Sequence, residues 1–148
     1  MPPPGVFPDN SSLAGALIEW CADAEGTQMK YGPVSTWDVS LVTDMSELFG
    51  LARSGGSDYG DYTYSYERIL QDNMGGEARW LQYPTAEFND DINTWNVGQV
   101  TDMGNMFHFA SKFDQPLDAW DVGQVTNMQG MFSQASRFNR PLDSWNVG

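Results

Sequence analysis

Cysteine and histidine are almost missing from this chain, with one of each, Cys21 and His108, in 148 residues. A single thiol can form no internal disulfide and build no cysteine-based metal site, and it leaves the redox compartment open. One histidine, with no serine or cysteine in a recognisable nucleophile context, composes no catalytic triad. Basic residues are scarce too: 7 stand against 20 acidic ones, for a net charge of −13. Nucleic-acid affinity comes mainly from neutralising phosphates with Lys and Arg, so no nucleic-acid partner is expected. The same balance disfavours adsorption to anionic lipid. The longest apolar run, Leu13 to Ile18, is far too short for a bilayer, so no direct membrane insertion is expected either. The start, Met-Pro-Pro-Pro-Gly, lacks the basic and apolar regions of a secretory signal.

What the chain does have is a period. Trp95, Trp120 and Trp145 follow one another at intervals of 25 residues, and each opens the same phrase. The first reads Trp95-Asn-Val-Gly-Gln-Val-Thr-Asp-Met103, and the second Trp120-Asp-Val-Gly-Gln-Val-Thr-Asn-Met128. Repetition at this period predicts a solenoid whose units touch only their neighbours. With 41% apolar and 14% aromatic residues, disorder throughout is excluded. One unit alone buries too little to offset the ordering of its backbone, so the units must stack.

A further unit begins at Trp37, with Val39, Val42, Thr43, Met45, Leu48, Phe49 and Ala52 in register with the later ones. The Phe expected next arrives only at Phe88. Trp37 and Trp95 are 58 residues apart, one period plus 33, so an insertion lies across residues 53–87. The expected organisation is an extended or mobile N-terminal segment (1–10), a capping helix with its lead-in (11–36), and repeats over 37–148. The repeats comprise a first coil (37–94, interrupted), full coils at 95–119 and 120–144, and a partial coil at 145–148. The sequence stops four residues into that last unit with no polar cap, which suggests a longer natural protein.

Ser11 or Ser12 can cap a helix, and Leu13, Leu17, Trp20, Cys21 and Ala24 follow at helical spacing. A capping helix is therefore expected over Ser12 to Glu25, stopped by Gly26, with Cys21 as an inert core thiol. Within each unit, Val97, Val100 and Thr101 predict a turn into a short strand. Met103, Met106, Phe107, Ala110 and Phe113 share one face of a short helix, which Pro116 prevents from continuing.

The full phrase, Trp-(Asp/Asn)-Val-(Ser/Gly)-x-Val-Thr-(Asp/Asn)-Met-x-x-(Met/Leu)-Phe-x-x-Ala-x-x-Phe-(Asn/Asp), resembles the 25-residue repeats of the BspA-like leucine-rich-repeat surface proteins. Tyr31-Gly-Pro-Val-Ser-Thr-Trp37 resembles that family's usual lead-in. The resemblance covers roughly Leu13 to Ala52 and Phe88 to Gly148; the insertion departs from it. It implies a leucine-rich-repeat-like α/β solenoid, each coil holding one short strand and one short helix behind an N-terminal capping helix. It also implies an adhesion or protein-binding role at the cell surface, with no catalytic signature and no cofactor.

Most recurring residues have structural readings. The repeat tryptophans could stack on sugars, but their place before a Val-x-x-Val core pattern favours a buried ladder. The Met103/Met106 and Met128/Met131 pairs read as core, not as metal ligands. Asp38, Asn96, Asp121 and Asn146, then Asp44, Asp102 and Asn127, and then Asn89, Asp114 and Asn139 exchange Asp for Asn freely. That favours turn capping over calcium. Thr43, Thr101 and Thr126 predict a stacked hydroxyl ladder. His108 shares its slot with Gly50 and Ser133, which suggests a tolerant, solvent-facing position.

The insertion holds the candidate binding residues Tyr59, Tyr62, Tyr64, Tyr66, Trp80 and Tyr83, beside the Gly/Ser-rich stretch Ser54–Ser57. Tyr66 to Asn73 reads as a short helix. Tyrosine with Ser and Gly supplies contact area at low entropic cost, although the same rings could instead seal the side of the repeats. The expected function is a non-catalytic interaction or adhesion module with a protein or glycan partner, extracellular or on the cell surface. The alternative is a structural subunit docked in a larger, intracellular or organellar assembly.

Overall fold

The structure, a computed structural model, describes residues 4–50 and 87–146. Residues 53–86 of the expected insertion, with all six of its candidate aromatics and the expected helix over Tyr66 to Asn73, lie outside the described residues.

The chain opens with two helices, α1 (Asn10–Ala22) and α2 (Ala24–Tyr31). Helix α1 begins two residues before Ser12. Its cap is Asp9, whose carboxylate accepts from the Ser12 N–H at 2.9 Å. Leu13 through Trp20 are buried without a break, so the helix is sheathed on all sides rather than along one stripe. Asp23 then turns extended, at φ −155°, and its carboxylate caps α2 by accepting from the Gly26 N–H at 3.0 Å. Gly26 therefore sits in a first helical turn instead of stopping a helix, and Ala24 is exposed. The cause is local: a second Asp offers the backbone a fresh start just where the first helix runs out.

The proline-rich start is extended but held. Phe7 N–H donates to Asp38 O at 3.0 Å and Asp38 N–H to Gly5 O at 2.7 Å, making a parallel bridge at Val6 and Asp38. Phe7 is buried, its ring 4.9 Å from Trp37 and 5.4 Å from Tyr31.

From Trp37 onward, equivalent residues of successive units touch. Phe49, Phe107 and Phe132 stack ring on ring at 5.0 and 5.4 Å, nearly parallel. Phe88, Phe113 and Phe138 form a second column at 6.2 and 5.9 Å. The backbones bond in both directions, the Thr101 and Thr126 N–H groups donating back to the Thr43 and Thr101 carbonyls at 2.8 Å. Met45, Glu47 and Phe49 N–H groups donate to Asp102, Gly104 and Met106 carbonyls at 2.8–2.9 Å. One period later, Met103, Asn105, Phe107 and Phe109 donate to Asn127, Gln129, Met131 and Ser133 at 2.8–3.0 Å. Among the described residues this pairing registers only as isolated parallel bridges, with no longer strand.

Residues 103–113 do not form the expected helix. Asn105 and Phe109 adopt left-handed φ of 55° and 62°, and Glu47, Gly130 and Gln134 repeat this at 57°, 66° and 62° in the equivalent slots. A left-handed residue every fourth position breaks the α ladder. The intervening N–H groups of Met106, His108 and Ala110 close tight turns onto residues three back. A run of such turns advances by three or four residues, so it places Met103, Met106, Phe107, Ala110 and Phe113 inward just as a helix would.

The first unit has no unit before it, and Asn10 takes that place. Its side-chain Nδ2 donates to both Asp44 O and Ser46 O at 3.1 Å. Those two carbonyls stand where Asp102 O and Gly104 O accept backbone N–H groups in the next unit.

Phe107 is fully buried in the first ring column, stacked between Phe49 and Phe132, so Phe107→Ala should cost about 3–5 kcal/mol by leaving a cavity; urea unfolding measures it, and a loss below about 1 kcal/mol would mean the core is misplaced. Asn10→Asp keeps the size but cannot donate, so it should cost about 1–3 kcal/mol in the same assay through two orphaned carbonyls, whereas Asn10→Gln with an intact midpoint would show that the donor alone matters.

Candidate functional site

The residues that recur from unit to unit are occupied with holding the units together. Each indole N–H reaches back to a carbonyl one unit earlier: Trp95 to Val34 O at 2.8 Å, Trp120 to Ile92 O at 2.9 Å and Trp145 to Leu117 O at 2.8 Å. Trp37, at the start, donates to Gly32 O at 2.9 Å. Trp37, Trp95 and Trp120 are each 3% exposed, so none offers a face to a sugar. Met103 and Met106 are buried in the same core and Met131 nearly so, while Met128 packs half-buried against it.

The Asx positions sort into two jobs. Asp38, Asn96 and Asp121 each accept the N–H two residues on, at 3.0, 3.1 and 3.0 Å. Asp44, Asp102 and Asn127 do the same at 2.8, 2.8 and 3.0 Å. These close turns within a unit. The Ser40 hydroxyl first, then the Ser40 N–H, holds the Asp38 carboxyl below its usual range. Asn89 and Asp114 instead cross between units, accepting the N–H groups of Asp114 and Asn139 at 2.9 and 3.1 Å. The Asn139 N–H, with Arg140 Nε 3.0 Å away, draws the Asp114 carboxyl downward. Thr101 and Thr126 hydroxyls donate to Thr43 O and Thr101 O at 3.3 and 3.1 Å, forming the ladder the sequence suggests.

Between these columns runs an open polar groove of about 310 Å³, lined by Ser46, Glu47, Asp102, Gly104, Asn105, Asn127 and Gln129. Asp102 Oδ1 already accepts from Gly104 N–H and from Asn127 Nδ2 at 3.0 Å. The groove presents the Ser46 hydroxyl, three side-chain amides and the Glu47 and Asp102 carboxylates, groups that hydrogen-bond a polar chain. Among the described residues, no three His, Cys, Asp or Glu side chains converge in a way that could hold a metal ion.

Two positions depart from the sequence reading. His108 is half-buried, its ring 4.2 Å from that of Phe109. At Gly50, in the same slot, an added Cβ would lie 2.8 Å from Asn105 O and 3.0 Å from His108 O. The slot is therefore tight in the first unit and opens only at the exposed Ser133. The structure also adds two pairs that the sequence did not announce, one of them long-range. Trp20 Nε1 donates to Asp90 Oδ2 at 2.9 Å across 70 residues, and Lys30 Nζ meets the buried Glu19 carboxylate at 3.1 Å. Only the chain's path through space joins them, so no local pattern could have shown them. The six candidate aromatics, Tyr59, Tyr62, Tyr64, Tyr66, Trp80 and Tyr83, lie outside the described residues.

Beside this pair, the Cys21 thiol is pushed up to about 12, first by burial and then by the Asp90 and Glu87 carboxylates. The thiolate is the reactive form. At pH 8 an alkylating reagent should therefore label native Cys21 about a thousandfold more slowly than the urea-unfolded chain, a rate read by mass spectrometry; equal rates would show the thiol to be open.

No helix among the described residues is long and apolar enough to cross a membrane. No curated protein matches the chain, and no solved structure does. Comparison with protein families matches residues 21–74 and 78–148 to the family described as Mycoplasma protein of unknown function, DUF285. The two stretches take in well over half of the sequence, and the chain belongs to that family.

Proposed function

We propose that the chain is a non-catalytic interaction or adhesion module of a BspA-like repeat surface protein, built as a leucine-rich-repeat-like solenoid and displayed outside the cell. One observation carries this reading: the residues that repeat are buried or hydrogen-bonded within and between units, whereas a slot that varies, Glu87, Lys112 and Arg137, is exposed or half-exposed in each unit. A scaffold that keeps its interior constant while changing its exterior suits recognition by surface complementarity.

The partner is a protein or a glycan. The polar groove along Asp102, Asn105, Asn127 and Gln129 supports hydrogen bonding to either. The composition of the segment with Tyr59, Tyr62, Tyr64, Tyr66, Trp80 and Tyr83 supports its role as the specificity element. A net charge of −13 steers basic partners toward the module and nucleic acid away from it.

Immobilised protein should retain one dominant partner from extracts of its native source, identified by mass spectrometry. Deleting residues 53–87 should abolish that retention. The quadruple change of Tyr59, Tyr62, Tyr64 and Tyr66 to Ser should weaken it at least about tenfold, which corresponds to one modest hot spot. Unchanged retention by both variants would remove the segment from the interface.

A further inference from the structure

Most recurring polar side chains are occupied in closing turns or bridging units, but those around Gly104 are not. The residue that follows each Asx-Met pair forms a column across the units, Ser46, Gly104 and Gln129. Its middle member has no side chain, which leaves a slot between the other two. The floor of that slot is fixed. A Cβ on Gly104 would lie 2.8 Å from Asn127 Nδ2 and 3.2 Å from Asp102 Oδ1, the two atoms that hydrogen-bond each other at 3.0 Å. The slot belongs to the polar groove of about 310 Å³, and described units flank it on both sides.

Four side chains lining it keep unused hydrogen-bonding capacity among the described residues. Asp102 accepts twice at Oδ1, from Gly104 N–H at 2.8 Å and from Asn127 Nδ2, and not at Oδ2. The Ser46 hydroxyl and the Asn105 and Gln129 amides make no side-chain hydrogen bond there. Ser46, Asp102 and Asn105 are half-buried, and a polar group partly withdrawn from water gains more from a partner than an exposed one. The lining holds two carboxylates, Glu47 and Asp102, and no cation, so it favours a positively charged group rich in donors. No aromatic ring lines it either, so a sugar ring would find no apolar face to lie on.

We propose that the slot over Gly104 takes the guanidinium group of an arginine carried by a basic polypeptide partner. Guanidinium is planar and presents five N–H donors in a fixed fork that matches a carboxylate. The Asp102 carboxylate is already oriented by its two bonds at Oδ1, so little further ordering opposes its use of Oδ2. The Ser46 hydroxyl and the Asn105 and Gln129 amides supply oxygens for the remaining donors. A lysine ammonium, compact and more strongly hydrated, gains less from the same gap. A net charge of −13 draws such a partner in. The inference rests on the reading of the chain as an interaction module, narrows the partner to a protein, and makes no use of residues 53–87.

The test titrates the isotope-labelled full chain with the peptide acetyl-Gly-Gly-Arg-Gly-Gly-amide and follows backbone amide signals. Those of Ser46, Gly104, Asn105 and Gln129 should shift and saturate with a dissociation constant on the order of 1 mM. The same peptide with citrulline, which keeps the shape and loses the charge, should bind at least about tenfold more weakly. Asp102→Asn should weaken the arginine peptide by a similar factor. It keeps the turn, because Asn127 closes the equivalent one on the Gln129 N–H at 3.0 Å. Glu47→Gln, which leaves that turn untouched, should weaken binding about threefold. Silent signals at the four amides, or equal shifts at the exposed turns of Asp38 and Asp121, would overturn the proposal. So would equal binding of the citrulline peptide or by the Asp102→Asn protein, or shifts of the same amides by maltohexaose instead. If extracts yield no retained partner while the arginine peptide still binds, the module reading fails and the slot stands; a retained partner indifferent to Asp102→Asn sinks the slot alone.

Discussion

Register between neighbouring units rests on backbone groups that cannot be satisfied inside their own unit. Because residues such as Asn105 and Phe109 turn left-handed, half of the N–H groups in this stretch face outward and must find carbonyls next door, at 2.8–3.0 Å. The indole N–H of each unit does the same for a carbonyl near the preceding Trp. A slip of one residue would break both sets together and pull the two Phe columns out of contact. The repeating Trp, Met and Phe positions are therefore one constraint seen from three sides, since each is useful only when its counterpart lies one period away.

The same constraint makes the molecule asymmetric along its stacking axis. At the first unit the carbonyls of Asp44 and Ser46 have no preceding backbone to accept from. Helix α1, the segment around Phe7 and the Asn10 amide answer the acceptors and bury the first core layer. In the last described unit Phe132 and Trp145 are partly buried.

Much of this was legible beforehand. The 25-residue period, the in-register contact of Trp120 with Trp145 (3° between ring planes) and of Phe49 with Phe107, the buried indoles, and the threonine ladder follow from which residues recur. The inert setting of Cys21 followed from its neighbours on a helix face. Helix boundaries were read less well, because Asp9 and Asp23 competed with Ser12 and Gly26 for the capping role, and nearby candidates of equal propensity differ only in context. The expected helix over residues 103–113 shows the deeper ambiguity. Apolar residues at intervals of three and four suit a helix and a run of tight turns alike. The available hint was Asn105 opposite Gly130 and Glu47, two of the three being residues that accept a positive φ cheaply.

Sequence alone determined the period, the identity of the core and the impossibility of an internal disulfide, because these depend on residue type and interval. Tertiary structure decided which N–H groups turn outward, which end is closed, and that Asn10 stands in for a missing neighbour. It also placed Asp90 against Trp20 and crowded the slot of Gly50. Those outcomes depend on what lies across a gap of 25 to 70 residues in the chain, and a hydrogen bond is sensitive to tenths of an ångström that no linear pattern encodes.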